Sequence, residues 1–572
     1  MGVRVLLWAF LLGLALAAPA SAATLALNEV PVGEVVEVPP FEYAPGRSFG
    51  KSLWLRRVEI YAPGARIWVP AADGSLREVP RTHWRYFLPD PARTSSKLFL
   101  AVAPDGGEVR GSLFEDGQVH GFAGWQRGGR LWMQRFEQPK DLPSTGFSCA
   151  TGEGAWTLAG GPAPEEDPAN ALAAGKAGGL ALATLAIDTD NELMSLRFSN
   201  DTSAATAYLA DLVAGMNAAY ERDLGVRLVQ GTTLLRTSDV ADPYNASTIN
   251  GQLGEMGTVW SNGTLASVPR AFVTLLSGKS PSTNSGQGLA WVLDAGSAGN
   301  YCTAKSLNGS GGQVAGHYSA VWIIRGTGFP ASTNVTLVGH EIGHNFGAQH
   351  THCSDRNNGS GPVSTNTIDQ CFAGESSCYS GPVSCPTDNS VPGKGSIMSY
   401  CNFSTGSGGA GCGSNLNEFH PAHQALFAPR VTSNLANGCF QQQVDQGPSL
   451  SPSPASGSTL TLPGGSQGQT VSSSIAFAVS GGSGAGTTQL SCSASGAAAI
   501  ASGSPQTIAV GGSASPVVVQ ATLAASAQSG SVSCSAVRQN AGTENFSFTV
   551  SVPAGSSVCN GSGDCLFRDS FE

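Results

Sequence analysis

Charge is what this sequence has least of. Asp, Glu, Lys and Arg make up 12% of its 572 residues, against roughly a quarter in typical soluble proteins. It has no basic run, and with a net charge of -10 that argues against a nucleic-acid partner. Past the N-terminus no apolar run reaches the ~20 residues that span a bilayer. Close C-x-x-C pairs are missing around Cys371, Cys378 and Cys385, so these cysteines fit disulfides better than a structural zinc. There is no EF-hand string or repeat, so calcium in the Asp- and Asn-rich loops has no motif behind it. Histidine is scarce too, with nine in the whole chain.

What is there points outside the cell. The length exceeds one hydrophobic core, so two to four domains are expected. The 74 glycines suggest β-rich, loop-rich material. Arg4, the run "VLLWAFLLGLALAA" and Ala20-Ser21-Ala22 read as a signal peptide over residues 1–22 with an A-x-A cleavage site. Export, of the bacterial kind, permits disulfides. Of thirteen cysteines, eight lie between Cys302 and Cys439, two are Cys492 and Cys534, and two are Cys559 and Cys565. Each group is even and can pair internally, which leaves Cys149 over.

Patterning divides the chain further. Residues 23–179 begin with aromatic–polar alternation, as in "SLWLRRVEIYAPGARIWV", which predicts strands. They end in a Pro-, Gly- and Ala-rich connector at about 161–179 that suits protease cleavage. Residues 180–440 open on a strand, "LALATLAIDTD", then a helix marked by Tyr208, Leu209, Leu212, Val213, Met216 and Tyr220. Strands follow at "RAFVTLL", "LAWVLD" and "HYSAVWIIRG", giving an α/β or α+β domain with a mixed sheet. Residues 441–458 read as a flexible Pro/Ser-rich linker. Residues 459–552 alternate strictly and predict a small Ig-like β-sandwich with a Cys492–Cys534 bridge. A tail occupies residues 553–572.

The chemistry is concentrated in "VGHEIGHNFGAQHTHC", residues 338–353, which holds four of the nine histidines. His340 and His344 are one helical turn apart and share a face. Gly347 can end the helix in a left-handed conformation, and His350 can then come back as a third ligand. Three neutral imidazoles suit one Zn²⁺ and leave a position open. Glu341 is placed to take a proton from water held there. Taken singly, each feature has an ordinary structural explanation: an exposed helix, a solvated Glu, a C-cap. The full H-E-x-x-H-x-x-G-x-x-H register sets them all at once. His352 is a spare histidine, and Cys353 reads as a disulfide partner.

This string resembles the metzincin signature. The resemblance implies a zinc endopeptidase with a methionine turn downstream, and "KGSIMSYC" supplies Met398, 48 residues after His350, as an apolar floor under the histidines. "HEIGHNFGAQH" is most similar to the adamalysin or reprolysin-like branch (peptidase family M12B), here of a bacterial secreted type. Two departures stand out. That branch has Asp after the third histidine, where this chain has Thr351. "SIMSY" is closer to the serralysin and astacin turn, which makes Tyr400 either a zinc ligand or oxyanion stabiliser, or a packed core tyrosine. The resemblance also implies substrate along an edge strand. "HYSAVWIIRG" (317–326) is the candidate, its alternative being an interior strand.

The expected architecture is therefore multidomain. A metzincin catalytic domain with mixed sheet and active-site helix follows a β-rich pro-segment and precedes a small β-sandwich. The expected function is a secreted zinc metalloendopeptidase made as a latent precursor and acting on proteins or peptides. Cys149 is a candidate latch on the zinc, the alternatives being a free cysteine or a pro-segment that blocks sterically. Other readings are a cell-wall peptide hydrolase, or a catalytically silent adhesive or matrix protein. The sandwich is a candidate for binding a surface or polymer.

Overall fold

The computed structural model describes residues 27–557 except 31, 45–46, 49–50, 91–95, 116, 128–129, 136–179, 280–286, 293–300, 303–316, 324–330, 444–446, 481–485, 511 and 541. The expected signal peptide, Cys149, the connector, Cys559 and Cys565 lie outside the described residues.

Alternation in the N-terminal region does produce strands. Seven of them, from Val35–Val38 to Arg130–Arg135, form one antiparallel sheet. Their inward residues, including Leu55, Phe87, Leu100 and Phe122, make a core on one side of it. A hairpin, β1 (Ile67–Pro70) and β2 (Leu76–Val79), belongs to a different sheet.

That second sheet is the scaffold of the site. It contains β3 (Ala181–Thr189), β4 (Val226–Leu234), β5 (Phe272–Ser277), β6 (Gly288–Ala290) and β7 (Tyr318–Trp322). Its order is β6-β7-β5-β3-β4-β1-β2. Strands β3, β4, β5 and β7 run parallel, and β6 is antiparallel to β7. The parallel strands are buried along most of their length because helices cover both faces.

The helices are α1 (Asn191–Phe198), α2 (Thr202–Leu224), α3 (Ile249–Ser261), α4 (Val335–Asn345) and α5 (Pro421–Ala436). Helix α2 starts where the Asp201 side chain accepts from the Ser203 and Ala204 amides, and it ends at Gly225 in the left-handed region. Its stripe of Leu209, Leu212, Val213, Met216 and Tyr220 is buried with Val335, Val338 and Ile342 of α4. Helix α3 covers the opposite face through Leu253, Met256 and Trp260. Among the described residues, no helix is long and apolar enough to cross a membrane.

Three features differ from the sequence reading or complete it. First, the N-terminal region is not a separate body. Strand β1 pairs with β4, Ile67 facing Thr233 and Trp68 facing Leu234. Val58, Ile60, Tyr86, Phe99 and Phe114 share one core with α2 and α4. Arg56 and Arg227 both meet Glu221, and Tyr86 and Arg110 both meet Asp211. Short-range patterning reports strands but not which sheet they join.

Second, of the two places left open for "HYSAVWIIRG", edge or interior, the structure has the interior one. Its strand β7 is paired on both sides, by β5 and by β6. The terminal strand is β6, three residues long, which overlaps the strand expected at "LAWVLD"; patterning marked the strand but not its place at the edge. Third, Ser449–Ser453 within the expected linker is a strand of the sandwich, paired with Thr470–Ser480. It lies at a sheet edge, where Pro452 and Pro454 are tolerated. The sandwich consists of a four-stranded and a five-stranded sheet around one core. Its Cys492–Cys534 bridge joins directly opposed residues on neighbouring strands of one sheet, unlike the inter-sheet bridge of antibody domains.

Candidate metal centre

Helix α4 ends as its sequence requires. Gly347 has φ of 100°, and the amides of Gly347 and Ala348 bond back to His344 O and Gly343 O. This closes the last turn with the left-handed glycine cap and reverses the chain so that His350 faces the helix.

The three rings converge. His344 Nε2 lies 3.1 Å from His340 Nε2 and 3.1 Å from His350 Nε2. All three residues are buried, at 6%, 2% and 3% exposure. Each Nδ1 faces an acceptor: Ile397 O at 2.8 Å, Ala348 O at 2.7 Å and Glu375 Oε2 at 2.7 Å. Each Nδ1 therefore carries the proton, and three Nε2 lone pairs point at one another. Such a cluster is repulsive unless a cation lies between them. Tetrahedral zinc with bonds of about 2.0–2.1 Å would hold its nitrogens about 3.3 Å apart, so the donor set fits the ion. Burial lowers the His340 pKa to about 3, with the nearby His350 ring adding to the effect. Burial takes His344 well below its ordinary value as well. Both rings are thus kept neutral and ready to ligate.

Around this cluster the sequence-predicted residues fall as follows. Glu341 is fully buried. It abuts the edge strand, for a β-carbon added at Gly288 would lie 2.1 Å from Glu341 Oε1. Met398 is buried under α4, and a β-carbon at Gly343 would meet its Sδ at 2.5 Å. Tyr400 packs its ring on His350, with centroids 4.1 Å apart, and lies parallel to His340 within 10°. Cys353 pairs with Cys378. The other cysteines between Cys302 and Cys439 pair as 302–439, 371–401 and 385–412.

Residues 181–407 match the family model Reprolysin_5, metallo-peptidase family M12. The match supports a reprolysin-like metallopeptidase domain over those residues. Metallopeptidases of this family use zinc and act on proteins. No curated protein sequence matches the chain. Among solved structures, the ASH / PapD-like domain of human CEP192 (PapD-like domain 7) aligns at 9% identity. That alignment covers 18% of this chain and 82% of the other, with a TM-score of 0.13, too low to bear on the fold.

The metallopeptidase domain also contains residues that spacing did not reveal. Thr351, standing where the resembling branch has Asp, donates to Ser399 Oγ at 3.0 Å, and Ser399 donates to Asp369 Oδ2 at 2.8 Å. A carboxylate thus reaches the methionine turn from another loop. Glu375 accepts from His350 and also from His352, whose Nε2 is 2.8 Å from the same oxygen. Burial alone would raise the Glu375 pKa, but its electrostatic interaction and hydrogen bonds with the His350 and His352 rings outweigh it, holding the carboxyl well below its usual range. The one sequence signal for Glu375 is an acidic residue close to two cysteines in "CFAGESSC". It acquires meaning only once their pairing is known.

Proposed function

We propose that the protein is a secreted zinc-dependent metalloendopeptidase made as a latent precursor, with His340, His344 and His350 as ligands. The observation that carries this reading is the convergence of three Nε2 lone pairs, each set by an acceptor on the opposite ring nitrogen. Zinc held there supplies Lewis acidity toward the scissile carbonyl and toward water.

The chain's own residues do the rest. Strand β6 offers one unpaired edge among the described residues, where an extended substrate can add as a further strand. Glu341 takes a proton from the attacking water at a carboxylate oxygen and gives it to the leaving amine nitrogen as the C–N bond breaks. Its carboxylate is fully buried beside Gly288, at the place where the substrate backbone would pass. Met398 closes the site from below. Tyr400, packed on His350, is assigned to steady the oxyanion that develops on the carbonyl.

The test is Glu341→Ala beside wild type on casein, with zinc content measured in both. Loss of hydrolysis with zinc retained is the expected outcome. Treatment with a chelator should silence wild type, and added zinc should restore it. Hydrolysis that survives in Glu341→Ala removes this mechanism. Activity on cell-wall material but not on casein would move the substrate to wall peptides.

A further inference from the structure

Glu375 lies in a loop 25 residues past His350, outside the motif that defines the site. Two disulfides bring it there. Cys353–Cys378 ties the loop to the segment next to His352, and Cys371–Cys401 ties its start to the residue after Tyr400. The Tyr379 amide donates to His352 O at 2.9 Å and seals the same contact. A single carboxylate oxygen, Oε2, then faces His350 Nδ1 at 2.7 Å and His352 Nε2 at 2.8 Å. The two rings are parallel within 4°, their centroids 5.4 Å apart. Phe372 packs edge-on against His352, at 5.1 Å.

We propose that Glu375 is the positioning residue for the third metal ligand, and that His352 holds Glu375 in place rather than touching the metal. This rests on the zinc-site reading above.

The physical case has two parts. The first is geometric. His340 and His344 are oriented by backbone carbonyls within one rigid framework, whereas His350 stands on an irregular segment past the helix. Its ring depends on a side chain for its direction and tautomer. An acceptor on Nδ1 leaves Nε2 as the lone-pair donor. The second part is electrostatic. Three neutral imidazoles leave a divalent cation's charge uncompensated in a buried site. Glu341 supplies one negative charge, and Glu375, one ring further out, supplies the second. A carboxylate behind a ligating histidine also makes that histidine a stronger donor. His352 takes part by donating to the same oxygen, which fixes the carboxylate's direction. A buried histidine with this partner has no need of the metal.

The experiment is zinc affinity of the full chain, measured by competition with a chromophoric chelator, for wild type, Glu375→Gln and Glu375→Ala. Loss of such a partner typically weakens metal binding by about 10–100-fold. That loss is expected for Glu375→Ala. Glu375→Gln should fall between, because its amide oxygen still accepts a hydrogen bond but brings no charge. The visible absorption of the cobalt-substituted protein should shift in both variants, a signature that general loosening of the loop would not give. Should Glu375→Ala fail to fold, Glu375→Gln, of the same shape, carries the test alone. Affinities of both variants within twofold of wild type, with unshifted cobalt bands, overturn the proposal while leaving the zinc site standing. A wild-type protein that holds no zinc overturns both.

Discussion

Gly288 and Glu341 touch across the cleft: a β-carbon on Gly288 would come within 2.1 Å of Glu341 Oε1 and 2.8 Å of its Cγ. The edge strand and the proposed general base are therefore fitted to each other through a missing side chain. Gly288→Ala should push the carboxylate aside. A misplacement of about 1 Å can cost on the order of 100-fold in rate. The expected result is a kcat/KM at least tenfold lower, with zinc content and melting temperature close to wild type. Unchanged kcat/KM would show that the contact does not set the base.

Gly343 and Met398 are matched in the same way. The added β-carbon would meet Met398 Sδ at 2.5 Å and Phe419 Cε1 at 3.2 Å. Alanine is the better helix former by about 1 kcal/mol, yet overpacking a core costs about 1–3 kcal/mol. Gly343→Ala should therefore destabilise, and adding Met398→Ala should recover part of that loss. Denaturant unfolding of the two single variants and the double variant measures this coupling. Strictly additive effects would place the methionine elsewhere.

Acid stability offers a third test. Burial, followed by the charges of His420 and nearby rings, lowers the His423 pKa to about 3. Unfolded, it would take a proton near its ordinary value of about 6.5. Below that pH the unfolded chain binds a proton that the folded chain refuses. The stabilisation from this group is thus complete above about pH 6.5 and is lost as pH falls toward 3. His423→Gln should flatten the fall of melting temperature over that window. An identical slope in the variant would show that other groups carry it.

The N-terminal region should stay with the catalytic domain after the connector is cut. The hairpin β1–β2 extends the catalytic sheet, the core is shared, Asp211 meets Arg110 and Tyr86 of the N-terminal side, and Glu221 takes Arg56 from it beside its own Arg227. A protease site placed within residues 161–179 should yield two fragments that co-elute on size exclusion. Glu418, paired with Lys97 across the same boundary, has its pKa lowered: burial opposes this, but hydrogen bonds from Lys97 and Ser390 prevail. A lowered carboxyl pKa contributes stability above the unfolded value near 4.5 that fades as pH falls further. Separation of the fragments should therefore become easier in acid. Free separation at neutral pH would mean that the interface does not hold.

The sequence by itself determined the parts that follow from neighbours along the chain. One helical turn between His340 and His344, a glycine at 347 and a third histidine three residues later are local instructions, and local backbone geometry executes them. The apolar stripe of α2 and the even cysteine groups are of the same kind. Tertiary structure alone decided which strand became the edge, because the pattern at "LAWVLD" announces a strand while its place depends on pairing with β7. It decided that β1–β2 belongs to the catalytic sheet, since a hairpin's own residues do not name its neighbour. It brought Asp369 to the methionine turn and Glu375 to His350 through disulfides whose connectivity no spacing encodes. Period and spacing act over a few residues, whereas these contacts join segments far apart in sequence, and only the folded chain brings them together.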